Sequence, residues 1–346
     1  MNEKAIKKIK TLTALFLAIT VLLGSTPASA FAEETAKEEN SGRSSVAYTT
    51  VDDSFTEDKW HLILNYPSEF SRMTYRDTET GLYIHYRIFL PEKYDRERTY
   101  PLVVFLADEK STGSDPDAPL VQGRGALVWA AEEWQKEFPC IIAVPVYRER
   151  ILDNQLYTTT DYVKLTENWI HSICTEYAVN NTRVYGTGQG MGCETLMLLA
   201  AENPDLFAAC MFVGGLWDAE RLRGLEKQRF IFFSAEGDRE VWTFAQKLME
   251  VFGTDGIGYA HAEWDAGWNA DRLSAAGITL TTSSTGHYFV SWKWGTVIPD
   301  ADVVKKAGDT TERKTLVHLA SFDEAYRSVA VMEWLFHQVL KEIENR

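Results

Sequence analysis

The chain has 346 residues, of which 45% are hydrophobic and 12% aromatic, and its formal net charge at neutral pH is −15. This length and this apolar content are ample for one large folded core, which an α/β domain of this size often keeps undivided. The strongly acidic balance repels phosphate groups, so it argues against nucleic acid and against an anionic membrane surface as partners.

The first 30 residues have the pattern of an export signal. Four lysines precede an apolar run from Leu12 to Leu23, and Ala28-Ser29-Ala30 resembles a signal-peptidase site. A membrane anchor is the alternative, but the run is short for a bilayer span. We therefore expect residues 1–30 to be a signal peptide, residues 31–56 to be a flexible leader rich in Glu, Ser, Thr and Ala, and the mature protein to be secreted, with no membrane attachment.

The four cysteines do not form paired C-x-x-C units but stand in apolar or helical segments. This spacing does not predict a zinc site, and we expect neither a metal nor a cofactor. Export would permit disulfides, whereas buried free thiols fit the sequence equally well. The residues are Cys140, Cys174, Cys193 and Cys210.

From Trp60 onward the sequence predicts strands that alternate with helices. Residues 70–77 and 81–90 form two strand-like segments joined by a short polar turn, which predicts a hairpin. The continuous apolar run at 101–106 is typical of a strand buried on both faces. Further strands are expected at 141–146, 208–213 and 229–234, and helices at 126–138, 161–177, 241–252 and 325–344.

This order predicts an α/β fold with a mostly parallel sheet, helices on both faces and an N-terminal antiparallel hairpin, spanning residues 57–346. One region, at about 264–317, breaks the alternation with short strand-like pieces at 278–282 and 288–294 and a polar loop. We interpret it as an insertion over one end of the sheet. It could be a lid or one wall of a cleft, or an edge hairpin that contacts no ligand.

A glycine-rich corner between a short strand and a helix is the central motif of the chain. Gly188-Gln189-Gly190-Met191-Gly192 fits the nucleophile elbow G-x-S-x-G of α/β-hydrolases, except that Gly190 stands where the serine should be. The dinucleotide-binding pattern G-x-G-x-x-G fails, because its third glycine is absent in both registers. The corner therefore predicts a hydrolase scaffold that lacks the hydroxyl nucleophile.

Hydrolases of this fold carry an acid and then a histidine after the elbow. Asp238 follows the predicted strand 229–234 and is our candidate acid, with a helix N-cap as the alternative. His318, in a predicted loop before the last helix, is the candidate base, and His287 is the second choice. We expect Ser234 to make a strand-end hydrogen bond rather than to replace the nucleophile.

Five stretches of the sequence carry a resemblance to a known family. They are YRIFLPEKYDRERTYPLVVFLAD, GALVWAAEEWQKEFPCIIAVP, VYGTGQGMGCETL, AENPDLFAACMFVGGLWD and SFDEAYRSVAVMEWLF. These stretches resemble a secreted esterase family related to polyhydroxybutyrate depolymerases and to feruloyl and acetyl-xylan esterases, and the resemblance spans about residues 73–338. It implies a carboxylic ester hydrolase that acts on a small-molecule or polysaccharide ester. Members carry T-G-x-S-M-G at the elbow, so the resemblance assigns the acid to Asp238, the base to His318 and a pocket position to Trp217.

The chain departs from that family in two places. Where much of the family has His-Gly after the third strand, this chain has Ala107-Asp108, and a carboxylate pointing inward there would oppose a developing oxyanion. Gly190 removes the attacking oxygen, so no acyl-enzyme can form at that position. Met191 still offers its N–H at a helix N-terminus, and we expect Gln189 to lie beside it.

The sequence therefore predicts an ester-hydrolase-like protein whose covalent acyl transfer is impaired. The alternative is a non-catalytic relative that binds ester-bearing or polysaccharide ligands.

Overall fold

The computed structural model describes residues 49–298 and 310–340. These residues belong to the second of two compact units, which spans residues 48–346. The predicted signal peptide and most of the predicted leader lie outside the described residues. Within the described ranges, no helix combines the length and the apolar character that crossing a membrane requires.

Nine strands of the described residues form one mixed sheet in the order β1-β2-β4-β3-β7-β8-β9-β11-β10. β2 pairs antiparallel with both β1 and β4, and the other neighbours pair parallel. The predicted mostly parallel sheet, led by an antiparallel hairpin, is thereby confirmed. The strands are β1 (Ser71–Arg76), β2 (Tyr83–Phe89), β3 (Tyr100–Leu106), β4 (Ile141–Val146), β7 (Val179–Gln189), β8 (Ala209–Val213), β9 (Phe230–Ala235), β10 (Ala260–Trp264) and β11 (His287–Trp292), while β5 (Leu152–Asp153) and β6 (Thr158–Thr159) pair separately.

Helices connect the strands, and short 3₁₀ turns supplement them. Two of these turns are Glu109–Ser111, which follows β3, and Val128–Ala130, which precedes the helix Glu132–Glu137. The helices are α1 (Lys59–Asn65), α2 (Ala118–Val121), α3 (Glu132–Glu137), α4 (Asp161–Glu176), α5 (Met191–Glu202), α6 (Arg239–Thr254), α7 (Ala270–Thr281), α8 (Thr310–Ala325) and α9 (Val329–Phe336).

Alternation along the strands divides the interior into two cores, one on each face of the sheet. In β3, Val103 and Phe105 belong to the core that includes Trp134 of α3, whereas Leu102 and its alternate neighbours belong to the core that includes Trp169 of α4. Because both faces are covered, the central strands read as continuous apolar runs rather than as alternating ones.

The segment predicted to be an insertion supplies parts of the main sheet instead. β11 lies between β9 and β10, and α7 connects β10 to β11 as a crossover. The strand predicted at 278–282 was wrong, because these residues are mostly the last turn of α7. Asn269 caps that helix by accepting from Arg272 N, and Leu273 and Leu280 are buried on its inner face, so packing overrides the strand propensity of the Ile-Thr run.

Two predicted helices are shorter than expected. The segment 126–138 is divided into the 3₁₀ turn Val128–Ala130 and α3. The last helix, predicted over 325–344, ends at Phe336, since the carbonyl of Phe336 accepts from Arg183 and from the Tyr185 hydroxyl while Leu340 N donates to Thr182 O. The chain therefore turns back along β7, and residues 341–344 lie outside the described residues.

Candidate active site

The corner between β7 and α5 has the backbone geometry that the elbow motif predicts. Gly190 has φ +54° and ψ −123°, and its N–H donates to Val213 O of β8 at 3.0 Å. A positive φ of this kind is strained for residues with a Cβ, and glycine adopts it at little cost. Residue 190 is thus placed, buried, at the carboxyl end of a central parallel strand, with Met191 opening the helix.

Asp238 and His318 are in direct contact. Asp238 Oδ2 lies 2.6 Å from His318 Nδ1, a short distance typical of a charge-assisted hydrogen bond. Asp238 occupies the N-cap position of α6, but its side chain makes no capping hydrogen bond there. The acid therefore orients the imidazole, and leaves Nε2 as the ring nitrogen available for proton transfer.

The loop predicted around His318 was wrong, since His318 lies within α8. Ser321, in the segment predicted to be that loop, donates its hydroxyl to His318 O at 2.7 Å, one turn back in the same helix. The interruption falls later, between the end of α8 at Ala325 and the start of α9 at Val329.

His318 lies beside the end of β8, the strand next to β7, which leads into the elbow. A Cβ added to Gly214 would lie 3.7 Å from His318 Cε1, and Gly214 directly follows Val213, whose carbonyl binds Gly190 N. The ring also packs edge-on against Phe322, with centroids 4.7 Å apart, and the side chain keeps 26% of its surface exposed. The elbow, the acid and the imidazole thus converge at one end of the sheet.

Negatively charged groups around the imidazole of His318 raise its pKa. Burial alone would lower the pKa of His318, but the hydrogen bond and charge of Asp238, with the charges of Asp108 and Glu194, raise the pKa above its ordinary value. The carboxyl groups of these three residues therefore stabilise the protonated form of the imidazole relative to the neutral form.

Asp108 fills the space that a side chain at position 190 would need. A Cβ built on Gly190 would overlap Asp108 Oδ2 and would lie 2.8 Å from Asp108 Cγ. The carboxylate also accepts from Met191 N at 3.4 Å and, through its other oxygen, from Lys110 N at 3.0 Å. The Met191 N–H, which was predicted to be available to a ligand, thus donates to the Asp108 carboxylate of the same chain.

A solved structure described as a thermostable esterase matches this arrangement of strands and helices with a TM-score of 0.60, at 23% sequence identity over 79% of this chain. The chain has the α/β-hydrolase fold. It spans only 64% of the length of that esterase. No family model and no curated protein matched the sequence.

Two further solved structures match more weakly. A ferulic acid esterase from Anaeromyces mucronatus has a TM-score of 0.43 at 12% identity, covering 74% of this chain and 91% of its own. An S-formylglutathione hydrolase from Staphylococcus aureus has a TM-score of 0.43 at 10% identity, covering 74% of this chain and 98% of its own. At these scores the two likenesses carry no argument about the site.

Gln189 and Ala107, two of the predicted pocket residues, are both buried in the protein interior. Gln189 is fully buried and donates to Gln122 O at 2.8 Å and to Gln122 Oε1 at 3.0 Å. Gln122 Oε1 also accepts from Asp108 N at 2.9 Å. Ala107 is buried in the same core as Val103. The network fixes the loop that carries Asp108.

Glu194 is a site residue that the sequence predictions missed. It lies on α5, four residues after the corner, where Oε1 accepts from Asn154 Nδ2 at 2.7 Å and from Leu216 N at 3.2 Å. Burial raises the pKa of this carboxyl to about 7, although the two hydrogen bonds oppose the rise. The sequence feature that could have identified Glu194 is its position as an acidic residue within the largely apolar stretch 192–201.

Trp217 lies next to the backbone that binds Glu194. The Trp217 ring is buried and packs edge-on against Tyr157, whose centroid is 5.4 Å away on the turn between β5 and β6. Trp217 Nε1 has no hydrogen-bond partner among the described residues. Trp217 therefore lies in the same buried region as Glu194, one residue after the backbone N–H that Glu194 accepts from.

The structure does not bring the remaining candidates into the site. His287 begins β11, at the opposite end of the parallel strands from Gly190, and its ring packs against Phe230 and Phe252. Ser234 lies within β9, 3.4 Å from the hydroxyl of Ser291. Within residues 49–298 and 310–340, no three His, Cys, Asp or Glu side chains are arranged to hold a metal ion.

Proposed function

We propose that the protein is a secreted, carboxylic-ester-hydrolase-like α/β-hydrolase whose covalent acyl transfer is impaired because Gly190 replaces the nucleophile. The observation that carries the proposal is the 2.6 Å contact between Asp238 and His318 beside an elbow whose backbone has the required geometry. A base oriented by an acid is needed for proton transfer to and from an attacking oxygen. Its ligand would be a small-molecule or polysaccharide ester.

A single Gly190→Ser change is not a sufficient test, because the new Cβ would overlap the Asp108 carboxylate and would lie 2.9 Å from Asp108 Cβ. The change Asp108→Gly removes both obstacles. The test therefore uses the double variant Asp108→Gly/Gly190→Ser, with p-nitrophenyl acetate as the substrate and kcat/KM as the measured quantity.

We expect kcat/KM of the double variant to exceed that of the wild type by roughly 10³-fold or more, since loss of one member of a catalytic triad costs several orders of magnitude. Adding His318→Gln to the double variant removes the base and should return the rate to the wild-type level. Equal rates for the wild type and the double variant would show that turnover does not use a serine at 190, and would refute the proposal.

The second candidate is a non-catalytic protein that binds an ester-bearing or polysaccharide ligand. One observation favours it. The Asp108 carboxylate occupies the place of the nucleophile, so this carboxylate would prevent acyl transfer in addition to the missing serine. A folded double variant without esterase activity, together with saturable binding of acetylated xylan by the wild type in calorimetry, would favour this candidate over the first.

A further inference from the structure

The carboxylate of Asp108 is held by donors on both of its oxygens. Oδ1 accepts from Lys110 N at 3.0 Å and from Gln122 Nε2 at 3.4 Å, and Oδ2 accepts from Met191 N at 3.4 Å. The residue is 3% exposed. Asp108 thus has a defined, enclosed position over the elbow.

That position coincides with the reacting centre of the proposed site. Met191 N is the first amide of α5, where the helix dipole favours an anion, and His318 feels the charge of Asp108. In an acyl-transfer site, such an amide binds the oxygen of the ester carbonyl and then that of the released acid. The side chain of Asp108 supplies the same chemical group, a carboxylate, from within the chain.

We propose that Asp108 is an internal occupant of the acyl site, which determines specificity by excluding ester carbonyls and free carboxylates from the Met191 amide. This rests on the proposed function for the identity of the site as an acyl site. Gly190 and Asp108 are then a matched pair, because the site has room for a carboxylate from residue 108 or a side chain on residue 190, but not for both.

The first test is carboxylate binding. Acetate is titrated into the wild type, Asp108→Gly and Asp58→Gly, and the imidazole resonance of His318 is followed by NMR, after assignment with His318→Gln. Asp58 is the matched control, since its carboxylate likewise accepts a backbone N–H, from His61 at 2.9 Å, but at the start of the exposed helix α1.

We expect Asp108→Gly to bind acetate at least tenfold more tightly than the wild type, and Asp58→Gly to behave as the wild type does. A saturable shift of equal midpoint in all three proteins would overturn the proposal. So would the absence of any saturable shift in Asp108→Gly.

The second test compares Gly190→Ser with Asp108→Gly/Gly190→Ser, by aryl-ester turnover and by covalent labelling with a phosphonate that reacts with activated serines. We expect the single variant to react with the label and to turn over the ester at least 100-fold more slowly than the double variant does, or to unfold at a lower temperature because of the collision with Asp108. If both variants hydrolyse the ester at the same rate, well above that of the wild type, and are equally stable, the internal-occupant proposal is overturned while ester hydrolysis is supported.

The opposite result separates the two proposals. If Asp108→Gly binds acetate but the folded double variant neither hydrolyses esters nor takes the label, the occupancy of the anion position by Asp108 stands and the ester-hydrolase proposal fails. If the serine variants do not fold, the acetate titration alone decides the role of Asp108.

Discussion

Glu194 and His318 are two titrating groups that act on stability in the same direction. Each has a folded-state pKa above its ordinary value, in Glu194 because of burial and in His318 because the carboxylates of Asp238 and its neighbours outweigh burial. A raised pKa means that the folded state holds its proton longer than the unfolded state does. Stability from both groups is therefore present at low pH and is lost as the pH rises through the folded-state pKa values.

Glu194→Gln isolates one of these two contributions. The amide keeps an oxygen that can accept from Asn154 and Leu216 N, but it does not ionise. Because the folded-state pKa of Glu194 is about 7, against 4.5 ordinarily, the variant should gain stability relative to the wild type between pH 5 and pH 8. The gain is on the order of 3 kcal/mol.

Urea unfolding at pH 5 and pH 8 measures this relative gain. Glu202→Gln, at the exposed end of the same helix, is the control and should change the stability difference by less than about 0.5 kcal/mol. A Glu194→Gln variant whose stability follows the wild type across this range would show that the carboxyl is already ionised in the folded protein at pH 5.

At the scale of single residues, the sequence predicted Asp238 and His318 from their order in the chain, since an acid and then a base follow the elbow in the hydrolase pattern. The structure places their side chains in contact, and their catalytic roles remain proposed. The sequence placed Asp108 at the oxyanion position but did not show that its carboxylate reaches the space beside residue 190, and it did not indicate Glu194 as a site residue. Asp108 meets Met191 across 83 positions of sequence, and nothing local to either residue indicates how far a side chain reaches across neighbouring strands.

The elbow helix is the element on which the site depends, and its contact with the sheet is made by backbone. A Cβ on Gly192 would overlap the carbonyl group of Leu106 at the end of β3 and would lie 2.8 Å from Ala107 O. The obstacle is backbone in the centre of the sheet, so it cannot rotate away as a side chain could. Glycine is needed at position 192 because the helix lies so close to the backbone of β3, and not because of an unusual backbone conformation of its own.

Gly192→Ala should therefore cost at least about 3 kcal/mol of unfolding free energy, or prevent folding, because a methyl group is forced against β3. Gly253→Ala is the matched control, since it is also a helical glycine, in α6, and its Cβ would meet nothing within 4 Å. That change should be neutral or stabilise the protein by up to about 1 kcal/mol. Thermal unfolding of both variants makes the comparison, and similar losses would contradict the role of close approach.

Elements were predicted well where both faces of a strand are buried, as in β3 and β4, because a short, continuous apolar run is typical of such a strand. The prediction failed in α7, where a strand-forming Ile-Thr run is held in a helix by the packing of Leu273 and Leu280. It also failed for α8, since the residues around His318, which were predicted to be a loop, lie inside a helix. In both cases tertiary contacts decide between local alternatives.

On the scale of the whole molecule, residues 50–57 attach to the C-terminal helices. Thr50 donates through its N–H and its hydroxyl to Glu333 of α9, both at 2.7 Å, and Glu57 pairs with Arg327 at 3.2 Å. Val51 and Phe55 are buried in the core that contains α9. The prediction of a flexible leader was therefore wrong for residues 49–56. It failed because Val51 and Phe55 are the two apolar residues that hold this segment, and they stand in an otherwise polar stretch.

Phe55→Ala measures how much this attachment contributes. Truncating a buried phenylalanine should cost about 3 kcal/mol, through lost apolar burial and a residual cavity. Trp60→Ala is the control, because the Trp60 side chain is 65% exposed on α1 and its removal should change stability by less than about 0.5 kcal/mol. Equal shifts in urea midpoint would mean that residues 50–57 do not contribute to global stability.

The overlap between Asp108 Oδ2 and a Cβ on residue 190 also has an evolutionary consequence. A glycine codon can become a serine codon through one base change. In this chain that mutation alone would bring the new side chain against the Asp108 carboxylate. We therefore expect a serine at residue 190 to be accommodated only together with a change at residue 108, or after it.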